Sequence, residues 1–139
     1  MMGEPWTEVA DRVFVRRHTS LDLNVTLVVG DDACLVVDTR SNEVQGRELA
    51  AAVRTVTPHP WVLVNTHFHY DHALGNAAFA PATIWGHRAC AEYLAGPLGV
   101  EMRERIAGRY RAAGQAEEAE LIATAPLVPP DRTFDTSAE

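Results

Sequence analysis

Lysine is absent. All 12 basic residues are arginine, and they stand against 19 Asp and Glu for a formal net charge of -7. A chain this acidic lacks the basic footprint that a sequence-independent grip on nucleic acid requires, so nucleic acid is not an expected partner. Long apolar runs are missing as well, which argues against a transmembrane helix and a membrane partner. The only cysteines, Cys34 and Cys90, lie far apart and form no C-x-x-C pair, so a disulfide framework and a zinc finger are both poor readings. Neither has the basic neighbours that make a reactive thiolate, and both read as small buried hydrophobes. Serine is limited to Ser20, Ser41 and Ser137, with no G-x-S-x-G elbow, which leaves a serine hydrolase without its nucleophile. There is no P-loop and no dinucleotide fingerprint. The opening residues, Met1 to Trp6, show neither a basic nor an apolar leader segment, and cytoplasmic residence is the expected default.

What is present is one domain's worth of chain, 139 residues that are 47% hydrophobic, enough to bury a real core. Val13 to Arg16 alternates weakly. Asn24 to Val29 and Ala33 to Val37 are apolar and β-branched, and Gly30-Asp31-Asp32 between them reads as the turn of a hairpin. Asp38-Thr39 then places a carboxylate at a strand's C-terminal edge. Asn42 opens a helix as its cap, with Gln45 placed to return a bond to the cap's own N–H. Leu49, Ala52, Val53 and Val56 give that helix one apolar face. Thr57-Pro58-His59-Pro60 stops it. Trp61 to Val64 is a short, wholly apolar strand, and strand, helix, strand in this order predicts a parallel crossover.

A short helix is expected after His72 and through Phe79, a strand over Thr83 to Gly86, and a helix from Arg88 to Leu94 ended by Gly96-Pro97. A longer helical pattern runs from Val100 to Ala123, with Glu101 and Arg105 as an i, i+4 pair and Gly108 and Gly114 as points of weakness. Asp131 to Glu139 shows no periodicity.

The chemistry gathers in one place. His67, His69, Asp71 and His72 fall within six residues directly after the apolar strand, and they include three of the chain's six histidines. Imidazole and carboxylate are the nitrogen and oxygen donors that zinc prefers, and a loop at a strand's end can turn several side chains to one point. In an extended stretch, residues two apart face the same way, so His67 and His69 can share one ion. Asp71 and His72, beyond the turn, can reach a second.

H-x-H-x-D-H after an apolar strand, Asp38-Thr39 closing an earlier strand, and Gly75-Asn76 just beyond together resemble the metallo-β-lactamase fold superfamily. The resemblance implies an αβ/βα sandwich holding two zinc ions, or iron or manganese in some members, between two sheets. By it, His67 and His69 bind the first metal and Asp71 and His72 the second. Asp71 also orients the nucleophile and is the catalytic candidate, while Asp38 matches the family's first acidic motif, a group beside the ligands. The implied activity is attack by a metal-bound hydroxide on an ester, thioester, lactone, lactam or phosphoester of a small-molecule substrate. His72 beside Asp71 disfavours the B1 β-lactamase pattern. It suits thioesterases of the glyoxalase II type, lactonases, alkylsulfatases, phosphodiesterases and B3-type lactamases equally. Other metal hydrolases that open with H-x-H are barrels carrying the motif after their first strand, whereas several strands precede it here.

Family members continue for another half-domain, which supplies a third histidine for the first metal, a bridging aspartate and a last histidine for the second. This chain has no match for them. The expected fold is therefore α/β: the first half of the sandwich, a mixed sheet covered by helices, with the second half absent. Residues 9–96 form the core half, 97–125 a helical insert and 126–139 a tail. A sheet with apolar side chains on both faces would then have one face bare, open to self-association or to the missing half. The alternative to a hydrolase is a truncated, inactive chain that binds metal weakly or not at all. Of the other candidates, His18 and His59 read as surface residues, His87 as a cap, and Arg109 and Arg111 as a solvated face. Asp38 competes with a plain turn carboxylate.

Overall fold

The computed structural model describes residues 4–138. Met1 to Gly3, half of the stretch read for a leader, and Glu139, the last residue of the expected tail, lie outside it. Seven strands form one sheet whose spatial order is the chain order: β1 (Trp6–Ala10), β2 (Val13–His18), β3 (Leu23–Val29), β4 (Cys34–Val37), β5 (Trp61–Val64), β6 (Thr83–His87) and β7 (Arg132–Phe134). Pairing is antiparallel from β1 to β4 and parallel from β4 to β7. The expected hairpin is β3–β4, closed where Gly30 N–H donates to the Ala33 carbonyl at 2.8 Å.

Between β4 and β5 runs α1 (Glu43–Arg54), and the parallel β4–β5 pair is the crossover expected from the sequence. Asn42 caps the helix by accepting from Gln45 N–H at 2.9 Å. The returning bond differs from the expected one: Gln45 Oε1 accepts from Ser41 N–H, one residue before the cap. Leu49 and Val53 are fully buried and pack on Leu23, Val25, Leu27, Cys34, Val36 and Leu63. This is the first core, on one face of the sheet.

Beyond β5 come α2 (Tyr70–Ala73), a 3-10 turn over Asn76–Phe79, α3 (Arg88–Ala95), α4 (Pro97–Ala112) and α5 (Ala116–Ala123). The single pattern expected from Val100 to Ala123 is two helices, broken where Gly114 takes φ +81°. The first of them starts earlier than expected, with Pro97 in its first turn, where the missing N–H costs nothing. Cys90, Leu94, Met102, Ile106 and Ile122 gather with Ala73 and Leu74 into a second core. His87 caps α3 as expected, accepting from Ala89 N–H at 2.9 Å. Both cysteines are free and buried, and burial raises their pKa values, that of Cys90 to about 11. Among the described residues no helix is long and apolar enough to cross a membrane.

Three local expectations are corrected. The terminal stretch is not without structure, because Arg132–Phe134 pairs with β6. Three residues are too few to show alternation, and what fixes this strand is long-range: Asp131 exchanges bonds with the Ile84 backbone through both its main chain and its carboxylate. β1 was likewise not expected; it is held by register with β2 and by Trp6 Nε1–H donating to the Ala52 carbonyl at 3.0 Å. His18 is fully buried rather than on the surface. It shares the α1-facing side of β2 with Phe14 and Arg16, beside the Arg16–Glu48–Arg40 ion-pair cluster.

The opposite face of the sheet is different. Its side chains form two registered rows, Val15–Thr26–Val37–Val64–Trp85 and Val13–Val28–Leu35–Val62–Thr83. All of them are half-buried, and none belongs to either core. Among the described residues neither core packs on this largely apolar face, as expected for one half of a sandwich.

Candidate metal centre

The parallel strands β4 and β5 end side by side, and the loops leaving their C-terminal ends build the site. Asp38, directly after β4, takes φ +70°, a left-handed conformation in which Asp is among the more tolerant residues. Holding it there costs on the order of 1 kcal/mol or more, and the surrounding bonds over-determine it. Asp38 N–H donates to the Val64 carbonyl at 2.8 Å, and Thr39 N–H to the His72 carbonyl at 3.0 Å. The result points a buried carboxylate at the loop after β5.

Asp38 acts as the hub. Its Oδ1 accepts from Thr66 N–H, and its Oδ2 accepts from Thr66 Oγ1–H, both at 2.8 Å. Oδ2 also lies 2.7 Å from His72 Nδ1. An ionised carboxylate can only accept, so Nδ1 of His72 carries a proton, and Nε2 is the nitrogen that holds the lone pair whenever the ring is neutral. That Nε2 faces Asp71 Oδ2 at 3.4 Å. The same logic reaches His67 through Thr66. With its hydrogen spent on Asp38, Thr66 Oγ1 accepts from His67 Nδ1 at 2.8 Å, again leaving Nε2 free. Asp38 therefore sets the tautomer of two histidines, one directly and one at second hand. The Thr66 N–H bond is one that a plain turn carboxylate would also make; the bonds to Thr66 Oγ1 and His72 are additional.

The four motif side chains come together. The rings of His67 and His69 are 4.5 Å apart between centroids, and those of His67 and His72 are 4.2 Å apart. Burial lowers the pKa of His67, with His72 and His69 adding to the effect, so the neutral, donor form is favoured. Burial also opposes a charge on His72, but the hydrogen bond and charge of Asp38, with Asp71 adding, overcome it and the net shift is upward. His18, His59 and His87 stand apart from this cluster: His18 beside Glu4, His59 beside Arg54, His87 at the start of α3.

The donor chemistry fits zinc; the number of donors falls short. Among the described residues no group of three or more His, Cys, Asp or Glu side chains is disposed to hold one ion. Two histidines for one ion, and an aspartate with a histidine for another, are fewer than the three protein ligands of a catalytic zinc.

Behind the loop lies a buried amide network that the sequence did not announce as functional. Asn76 Nδ2 donates to Asn65 Oδ1 at 2.7 Å and to the Val128 carbonyl at 2.8 Å. Asn76 Oδ1 accepts from Thr39 Oγ1 at 2.7 Å and from Asn65 Nδ2 at 3.0 Å. Asn65 Nδ2 also reaches the His72 carbonyl. These bonds clamp the end of β4, the end of β5 and the turn after α2 to one another. Thr39 and Asn76 belong to the dipeptides that carried the resemblance, and their motif membership was the available signal. Gly75 permits the close approach, since a Cβ there would sit 1.9 Å from the Thr39 carbonyl oxygen.

The sequence model of the metallo-beta-lactamase superfamily matches residues 19–136. The chain belongs to that superfamily. No match is found among curated proteins. Among solved structures, a metallo-beta-lactamase from Erythrobacter litoralis, with beta-mercaptoethanol in its active site, shares 23% identity at a TM-score of 0.61, covering 99% of this chain and 53% of its own. FIM-1 from Pseudomonas aeruginosa, in its mono-zinc form, shares 17% at a TM-score of 0.59, again with 99% and 53% covered. A metallo-beta-lactamase from Hirschia baltica shares 16% at a TM-score of 0.58, with 99% and 54% covered. At these identities the likeness is one of fold. The chain spans about half the length of these superfamily structures, consistent with half of the sandwich.

Proposed function

We propose that this chain forms the N-terminal half of a binuclear zinc hydrolase centre. In this reading His67 and His69 hold one ion, Asp71 and His72 the other, and a second half-domain supplies the remaining ligands. What supports it is the approach of the His67 ring to those of His69 and His72, with Asp71 beside His72, and the Asp38 and Thr66 bonds that engage Nδ1 of His72 and His67 and leave Nε2 of each ring on the side away from them. Zinc, when bound, supplies Lewis acidity to a scissile carbonyl or phosphoryl group and makes water acidic enough to attack near neutral pH. The chain's own residues orient and hold: Asp38 fixes His72, Thr66 relays that order to His67, and Asp71 accepts a hydrogen bond from the attacking water. The substrate is a small ester, thioester, lactone, lactam or phosphoester. The same reading assigns the bare sheet face to the second sheet of the missing half, supported by the two rows of apolar side chains and by the half-length match.

One observation favours a narrower reading for the chain alone: no three-ligand group is present among the described residues. By itself the chain should bind zinc weakly and turn over little. Zinc titration against a chromophoric chelator, with His67→Ala and Asp71→Ala beside the unaltered chain, tests both. Weak binding, lowered further in each variant, with no hydrolysis of nitrocefin, thioesters or lactones, is the expected result. Zinc uptake indifferent to both substitutions would remove the metal reading. Robust zinc-dependent turnover would show that no second half is needed.

A further inference from the structure

Helix α4 carries Arg105 and Arg109 four residues apart, so the two guanidinium groups share one side of the helix. Both line a cavity of about 220 Å³ that His69 and Asp71 also line. The rest of its wall is apolar and braced. Phe68 stacks on Tyr93 with centroids 3.8 Å apart, Tyr70 Oη is 2.9 Å from Tyr110 Oη, and Met102 and Ile106 are buried in the second core.

Most arginines of this chain are committed: Arg16 to Glu48, Arg88 to Asp135, Arg103 to the Ala125 carbonyl. Arg105 and Arg109 have no ion pair and no hydrogen bond among the described residues. Glu101, one turn before Arg105 and expected as its partner, makes no ion pair with it. Two exposed, uncommitted cations stand beside a single lining carboxylate, Asp71, so the lining carries an excess of cations in a molecule whose formal net charge is -7. Local field, rather than net charge, decides what a cleft attracts. Guanidinium groups present forked donors that match the two oxygens of a carboxylate. The volume is below the roughly 300 to 1,000 Å³ of pockets that enclose a whole ligand, so it suits one arm of a substrate.

We propose that this cavity is the acyl-arm subsite of the hydrolase proposed above: it takes a short apolar arm ending in a carboxylate, anchored by Arg105 and Arg109. The apolar wall receives the arm, the guanidinium pair receives the carboxylate, and the scissile group is left at His69 and Asp71. The substrate class narrows accordingly, from neutral esters and lactones to acids that carry an apolar segment between the carboxylate and the reacting bond.

Binding can be read without metal or turnover. Phenylacetate is titrated into the zinc-free chain and followed by NMR, with inorganic phosphate and neutral benzyl alcohol as comparison probes. Arg105→Gln and Arg109→Gln are each expected to weaken phenylacetate binding by about tenfold, since an ion-assisted hydrogen bond is worth about 1.5 kcal/mol or more. Arg111→Gln, on the same helix but outside the cavity, should leave it unchanged. Phosphate and benzyl alcohol, each lacking one of the two features, should bind more weakly than phenylacetate. Phenylacetate binding that is insensitive to Arg105 and Arg109, or equalled by benzyl alcohol, overturns the proposal. The hydrolase reading fails separately: if zinc uptake ignores His67→Ala while arginine-dependent phenylacetate binding persists, the carboxylate site stands and the metal centre does not.

Discussion

Replacing Asp38 with asparagine tests the logic of the site at its hub. The substitution keeps shape and volume but exchanges the Oδ2 acceptor, or the Oδ1 acceptor, for an NH₂ donor. In the native arrangement the carboxylate accepts three bonds, at 2.8, 2.8 and 2.7 Å, from Thr66 N–H, Thr66 Oγ1–H and His72 Nδ1–H. With the amide oxygen kept on Thr66 N–H, the NH₂ group faces His72 Nδ1, which must then become an acceptor. His72 shifts its proton to Nε2, the nitrogen that faces Asp71. Thr66 Oγ1, no longer able to donate to residue 38, turns its hydrogen toward His67, which must change tautomer as well. Loss of a charge-assisted bond costs about 1.5 to 3 kcal/mol of stability. Loss of an orienting partner costs about 10- to 100-fold in metal affinity. Asp38→Asn should therefore unfold at lower denaturant, bind zinc more weakly, and show the swapped tautomers in long-range ¹⁵N–¹H correlation spectra of the two rings. Asp38→Asn with unchanged ring tautomers and unchanged zinc affinity would refute the argument that this carboxylate sets the donors.

Three further outcomes follow from the packing. Gly75→Ala places a methyl group 1.9 Å from a backbone oxygen, so the loop must shift; a loss of about 3 kcal/mol is expected in urea unfolding, and a neutral effect would show that the approach of Gly75 to Thr39 is not required. His18 is buried and its pKa is lowered first by desolvation, so its contribution is intact above its unfolded pKa of about 6.5 and is lost as pH falls from there toward the lower folded value. Urea midpoints between pH 8 and pH 5 should fall more steeply for the native chain than for His18→Gln; parallel slopes would contradict a neutral, buried ring. The chain alone should bind a hydrophobic dye or self-associate through the bare face, because each 100 Å² of apolar surface left in water forgoes about 2.5 kcal/mol. Leu35→Thr with Val64→Thr should reduce both signals, and a dye-silent monomer in size-exclusion chromatography would show that the face is covered.

How much of this was legible in the sequence depends on how local the cause is. The β3–β4 hairpin and the β4–α1–β5 crossover were readable because turn residues, a cap and the 3.6-residue period lie within a short window, as Gly30, Asn42 and Leu49 show. The H-x-H-x-D-H cluster stood out because its residues are adjacent in sequence and follow an apolar strand. His18 was misread because β2 alternates only weakly, and its burial is decided by α1 arriving from 30 or so residues further on. Arg105 and Arg109 are exposed, as a solvated face would be, and nothing in the helical period marks them as also lining a cavity. The Thr66 relay was invisible too: a hydroxyl that donates to one neighbour and accepts from another is defined by three residues on two strand ends.

The agreement between strand order in the sheet and strand order in the chain carries a consequence for how the protein is made. Every strand pairs with the one synthesised immediately before it, so none has to wait for a later segment to be inserted beside it. As the polypeptide leaves the ribosome, each new strand meets an edge that is already in place, and the sheet can grow vectorially from β1 to β7. The antiparallel closures from β1 to β4 are short and favour rapid assembly, whereas β7 reaches β6 only after α3, α4 and α5. The N-terminal edge can thus be ordered before the histidines of the β5 loop have been translated, and those histidines emerge onto a finished scaffold.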